Sequence, residues 1–233
     1  MHRSFAGSDA LWRIVHDQCA PHEELFRSSL PCLETDEDRG IAILKDLVGA
    51  TQTPFIPTAR ITGIEDPAVL EPGAPNYFAL AWQRTNATRA LANANLPRDA
   101  LSLALNSRFG RTQDQLHIHI DCIRSDVRAL LAQYSETISE SWSHFPVPLA
   151  GQPYLTRRVA TLGRPGATPF QLVATGIPDA GKDMGAMTIV VVGDFFNGEP
   201  GFVLLAGRAS VAAGDSGSGE DLQDHTCALA HVP

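Results

Sequence analysis

Apolar and polar residues alternate strictly from Gln115 to Asp121, with Leu116, Ile118 and Ile120 on one side and Gln115, His117, His119 and Asp121 on the other. That period of two predicts a strand with one face in the core and a row of polar side chains on its other face. Ala100–Asn106 is a second apolar run, and Ser107–Thr112 is the loop that lets the histidine strand return antiparallel to it. Upstream, 40–46 and Pro54–Ile61 predict two neighbouring strands forming a hairpin, the second bent by its prolines and therefore placed near a sheet edge. Helical spacing appears three times. Residues 8–18 carry Leu11, Ile14 and Val15 behind a Ser8 or Asp9 cap. Asn76 opens a longer helix to about Asn93 with Phe78, Ala81, Trp82 and Thr85 on one face. Ser125 or Asp126 caps a third with Val127, Leu130, Leu131, Tyr134 and Ile138 as its stripe. A loop is expected between the first helix and about Arg39.

The last third changes character. Gly- and Pro-rich turns separate Phe170–Ala174, Met187–Val192 and Phe202–Ala206, which predict three further strands. Asp215–Gly219 reads as a flexible linker into a final helix from Glu220 to about Ala230. The fold class is α+β. Residues 1–150 are expected to hold the histidine strand and the N-terminal helix, and residues 151–233 a C-terminal α+β extension packed as part of the same domain, because no linker marks the junction.

Composition narrows the function. The 233 residues are 44% hydrophobic, enough for a substantial core, and the net charge of −8 without a Lys/Arg block argues against a nucleic-acid partner. The longest apolar runs are too short to cross a bilayer as helices. Met1–Asp9 lacks the apolar stretch of a secretory leader, so the protein is either cytosolic or has lost a leader or anchor. The four cysteines favour the second reading, because an even number in two plausible pairs suggests disulfides and an oxidising compartment. Cys19–Cys32 would close a local loop, and Cys122–Cys227 would tie the C-terminal segment to the histidine strand.

The segment Gly110-Arg-Thr-Gln-Asp-Gln-Leu-His117-Ile-His119-Ile resembles the signature of the histidine triad (HIT) superfamily of nucleotide hydrolases and transferases. Gln115, His117 and His119 then fall on the three triad positions, with glutamine in place of the first histidine. Including the upstream strands, this resemblance covers roughly residues 40–123. Within that superfamily, Asn106-Ser-Arg108-Phe-Gly-Arg111-Thr-Gln113, the His-Ile-His-Ile run, Cys122-Ile-Arg124-Ser-Asp-Val-Arg128, Leu44-Lys-Asp-Leu and Gln223-Asp-His225-Thr-Cys227 resemble the bacterial CDP-diacylglycerol pyrophosphatases over almost the whole chain. The resemblance implies a HIT-like antiparallel sheet with packed helices and cleavage of CDP-diacylglycerol to CMP and phosphatidate without a cofactor. It also implies an N-terminal anchor in the bacterial inner membrane, with the catalytic part facing the periplasm and working at the phospholipid surface.

The residue chemistry fits that expectation. A neutral imidazole at His117, the middle triad position, can attack a phosphorus and form a phosphoramidate. His119 and the Gln115 amide can donate to phosphate oxygens. Arg108, Arg111 and Thr112 in the preceding loop are candidates to neutralise and cradle a diphosphate, and Asn106 to contact ribose or phosphate. Other histidines, His225 included, have weaker claims. Two rivals remain at this level. His117-x-His119-x-Asp121 resembles the start of the metallo-β-lactamase ligand pattern and is chemically adequate for zinc. A non-catalytic nucleotide- or lipid-binding protein could also keep the pocket.

Overall fold

A computed structural model describes residues 7–164 and 166–231; most of the Met1–Asp9 segment read above for a leader lies outside it. Strands β1 (Glu34–Asp36), β2 (Ile41–Ile43), β3 (Thr53–Pro57), β4 (Leu101–Leu105), β5 (Ile118–Ile123), β6 (Ser143–His144), β7 (Leu155–Val159), β8 (Met187–Phe196) and β9 (Glu199–Arg208) form one antiparallel sheet in the order β1-β2-β3-β5-β4-β8-β9-β7-β6. A short β10 (Gln223–Asp224) pairs with the far end of β5. Strands from both parts of the chain therefore share a single sheet.

The sheet is buried on both faces, which explains the continuous apolar runs of β8 and β9. Ile118, Ile120, Leu103, Leu105, Ile189, Val191 and Leu204 face one core. It is covered by α3 (Tyr77–Trp82) and α6 (Pro169–Gly176), whose Phe78 and Phe170 rings pack 5.2 Å apart. Ala104, Ile123, Val190, Val192, Val203 and Leu205 face a second core, closed by Val127 and Leu131 of α5 (Ser125–Gln133). His117, His119 and Asp121 alternate away from the first core, as the pattern predicts.

Several expectations change. The first helix does not stop at residue 18. It runs from α1 (Ala10–Ile14) through a π turn (Val15–Cys19) into α2 (Ala20–Phe26), and its buried Leu11, Val15 and Cys19 cover Ala42 and Ile56. The helix begun by Asn76 breaks after Trp82 and resumes as α4 (Thr85–Ala92), and Thr85 Oγ donates to the Trp82 carbonyl at the break. α5 starts after Arg124 without a side-chain cap. β3 is an interior strand. Its Pro54 is tolerated because that residue's backbone turns toward β2 beyond Ile43, where only its carbonyl is used, accepting from Leu44 N.

Phe170–Ala174 lies in a helix because Thr168 and Gln171 form a reciprocal capping box around Pro169. β8 and β9, ten residues each, form a hairpin around Asn197-Gly198, both with positive φ, as a tight two-residue turn requires. Residues 215–219 pack rather than swing, since the Gly217 carbonyl accepts from Ser107 N. The expected final helix is two short 3-10 turns, Gly219–Leu222 and Ala228–His231, flanking β10. Both disulfides form as expected, Cys19–Cys32 and Cys122–Cys227. No helix among the described residues is long and apolar enough to cross a membrane.

Candidate active site

His117 directly precedes β5 and His119 lies within it, with their rings edge to face at 4.7 Å. They open into a pocket of about 240 Å³ whose other lining residues are Asp46, Val48, Gln52, Asn106, Gly110, Thr112, Glu220 and His225. A larger surface hollow of about 770 Å³ is lined mainly by carboxylates, among them Glu23, Glu24, Glu37 and Asp38, and is unsuited to a polyanion.

His117 Nδ1 lies 2.6 Å from the backbone carbonyl oxygen of Gln115. A carbonyl only accepts, so Nδ1 carries the proton and Nε2 keeps its lone pair. Burial pushes the His117 pKa below the usual histidine value, against a smaller opposing effect of the Gln115 carbonyl. The ring is therefore neutral at neutral pH. Burial holds His119 well below that value too, helped by neighbouring His117.

A network from the C-terminal segment frames these rings. Asn106 Nδ2 and Gln52 Nε2 each donate to the Glu220 carboxylate at 2.6 Å. Asn106 Oδ1 accepts from Gly219 N at 2.9 Å, which pins the 3-10 turn carrying Glu220. His119 Nε2 lies 3.1 Å from Glu220 Oε1 but without hydrogen-bond alignment, so this donor remains unpartnered. His225 lines the same pocket, with Nδ1 2.7 Å from the fully buried Asp121. The other Asp121 oxygen accepts from Thr51 Oγ at 2.6 Å and Cys122 N at 2.8 Å.

The predicted residues divide. His117, His119, Asn106 and Thr112 line the pocket. Gln115 is fully buried, and its two amide protons go to the carbonyls of Pro57 and Ala59, so the donors expected for phosphate are used elsewhere. Arg111 forms a two-point ion pair with Glu65 at 2.5–2.7 Å and a further one with Asp114 at 3.1 Å, and it faces a smaller adjoining cavity. Arg108 is half-exposed, 3.3 Å from Asp183, and lies over the Phe109 ring outside the pocket lining. Asp121, the third member of the zinc-like pattern, is engaged by Thr51 and His225, and among the described residues no three His, Cys, Asp or Glu side chains are arranged to hold a metal.

Sequence reading missed Asp46, Gln52 and Glu220 and undervalued His225. The sequence signals for His225 were its place in the Gln223–Cys227 run that carries the resemblance and its position two residues before Cys227, the cysteine paired with the neighbour of Asp121.

Fold and site together define an α+β enzyme whose pocket is organised around histidine side chains. A family model for CDP-diacylglycerol pyrophosphatase matches residues 6–231. A CDP-diacylglycerol pyrophosphatase of Yersinia pestis is 42% identical over 236 residues, covering 98% of this chain and 88% of the relative. The chain belongs to the CDP-diacylglycerol pyrophosphatase family.

Proposed function

We propose that this protein hydrolyses the pyrophosphate bond of CDP-diacylglycerol through a covalent CMP-histidine intermediate on a HIT-like fold. His117 Nε2 attacks the α-phosphorus. A nitrogen–phosphorus bond forms as the bond from that phosphorus to the bridging oxygen breaks, and phosphatidate leaves with the oxygen. Water then cleaves the phosphoramidate, releasing CMP and returning the lone pair to Nε2. The observation that carries this reading is the Nδ1 hydrogen bond of His117 to the Gln115 carbonyl, which fixes the tautomer a nucleophile needs. His119 Nε2, buried and without an aligned partner, supplies a donor for a non-bridging oxygen. Residues 151–233 then act as an extension that completes the pocket through Glu220 and His225.

A membrane-bound substrate suits the rim. Leu47 is 93% exposed and Val48 65%, and Val48 lines the pocket, so a lipid surface is the partner we assign to this edge. The two disulfides fit an oxidising compartment, which favours a catalytic part on the periplasmic side of the bacterial inner membrane.

CMP release from CDP-diacylglycerol in detergent micelles, with chelator present, tests the mechanism. The unmodified protein should release CMP and yield an acid-labile CMP adduct on rapid quenching, and His117→Ala should do neither. Binding of CMP without turnover would leave a non-catalytic nucleotide-binding protein instead. Activity lost to chelator and restored by zinc would replace the histidine nucleophile with metal chemistry.

A further inference from the structure

The pocket presents a charge problem. Among the described residues it is lined by two carboxylates, Asp46 and Glu220, and by no lysine or arginine. His117 and His119 are held neutral by burial. A diphosphate would therefore meet net negative charge unless one further group supplies a cation. We propose that His225 is the third imidazole of this site and receives the leaving phosphate of a nucleoside diphosphate ester, a role that rests on the nucleotidyl-transfer reading above.

The geometry gives three supports. First, His225 is built in rather than draped over the surface. Asp224 pairs with Cys122 in the sheet, Cys227 is bonded to Cys122, and the His225 carbonyl accepts from Ala50 N at 2.8 Å. The loop it rests on is shaped for it, since Gly49 has φ +75° and a Cβ there would come within 2.6 Å of His225 Cβ. Second, Nδ1 is tied to Asp121, so the ring's other nitrogen, Nε2, is the one directed toward the pocket, 3.9 Å from Glu220 Oε2. Third, among the described residues Asp121 has no cationic partner but His225, and a fully buried carboxylate favours a protonated ring beside it.

The groups facing His225 are Asp121 and His119 from β5, Glu220 from the 3-10 turn, Asp46 from the β2–β3 loop and Asp224 on its own segment. Lys45 lies in that loop with its ammonium bound to the carbonyls of Asp46 and Gly49. The carboxylates, with the Asp121 hydrogen bond foremost, raise the His225 pKa against partial burial.

In this position the imidazolium makes a charge-assisted hydrogen bond to the second phosphate, which the α-phosphate of a monophosphate cannot reach in the same pose. The triad position that this chain fills with Gln115 then has a cation supplied from a distant segment.

The test compares CDP with CMP binding by calorimetry above pH about 7, where the ligand phosphates are fully ionised. The unmodified protein should bind CDP at least about 10-fold more tightly than CMP, the ratio one charge-assisted hydrogen bond supplies. His225→Gln should bring that ratio toward one while CMP affinity changes less than about 3-fold. Equal weakening of both ligands, or no change in the ratio, overturns the proposal. The unmodified protein gives an independent reading: its CDP/CMP preference should fall as pH rises past the elevated His225 pKa, and a flat preference up to pH about 10 overturns the assignment. Persisting turnover in His117→Ala would instead overturn the nucleophile and leave the binding ratio standing.

Discussion

Glu220 sets the proton position on His119 without needing to bond to it. The Glu220 carboxylate can only accept, so the Gln52 amide must turn its nitrogen toward it; the same nitrogen then lies 2.8 Å from His119 Nδ1 and donates to that too. Nδ1 is thereby an acceptor, and the His119 proton sits on Nε2, facing the pocket. His117 and His119, two residues apart, are held in opposite tautomers, one offering a lone pair and the other a proton.

Gln52→Glu tests this arrangement. A carboxylate at 52 would draw the His119 proton to Nδ1 and stand against Glu220. We expect kcat to fall about 100-fold, the usual scale for a lost oxyanion donor, with a smaller effect on KM. Imidazole nitrogen chemical shifts read by NMR would show the tautomer change; unaltered shifts with unaltered kcat would refute it.

The acid limb of the rate profile should lie below the ordinary histidine value of about 6.5, because burial lowers the His117 pKa and the ring stays neutral into mildly acidic solution. Measuring kcat/KM from pH about 4.5 to 8 checks this, and a limb at or above 6.5 contradicts it.

Stability should be lost in both directions from a maximum near neutrality. The lowered values of His117 and His119 contribute stability present above pH about 6.5 and lost as pH falls through their folded pKa values. The raised value of His225 contributes stability fully present below about 6.5 and lost as pH rises through its folded pKa. Thermal melts of the unmodified protein and of His225→Gln should diverge most below neutrality and converge in alkaline solution.

Arg111→Ala should act on the fold before the substrate. Its guanidinium is nearly buried and bonded to Glu65 and Asp114, so removal leaves carboxylates without their donors and costs roughly 2 kcal/mol. A lowered Tm with KM nearly unchanged is expected. A raised KM at unchanged Tm would show that Arg111 lets go of Glu65 to hold diphosphate.

Leu47→Asp with Val48→Asp should separate lipid access from chemistry. Turnover on substrate embedded in anionic vesicles should fall about 10-fold or more, while hydrolysis of a short-chain soluble analogue stays within about 2-fold. Equal effects on both substrates would remove the lipid-facing role of this rim.

Much of the centre was readable from the chain. Strict alternation set the histidine face, the apolar run Ala100–Asn106 indicated the paired β4, and local loop length together with the position of Cys122 indicated both disulfides. What escaped was long-range or ambiguous by period. Phe170–Ala174 is too short to distinguish strand from buried helix by hydrophobicity, and the Thr168–Gln171 capping box was the overlooked arbiter. Asn197-Gly198 announced a hairpin that apolar runs alone did not. Glu220 carries no local signal for a site more than 100 residues away, and His225 only its nearness to Cys227 and its place in the Gln223–Cys227 run, across the sequence separation of the Asn106–Glu220 and Asp121–His225 contacts. Arg111 and Gln115 turn out to be paired within the fold, and proximity in sequence does not tell whether a donor is already taken.

The pairing of β10 with β5 also sets an order in time. During synthesis the segment bearing Glu220 and His225 leaves the ribosome after every other strand of the sheet, at a few to some twenty residues per second. The nascent chain thus carries its two strand histidines long before it has the carboxylate and imidazole that frame them. A complete pocket is a property of the finished, oxidised molecule, and a partly made copy has the two histidines without the surroundings that frame them.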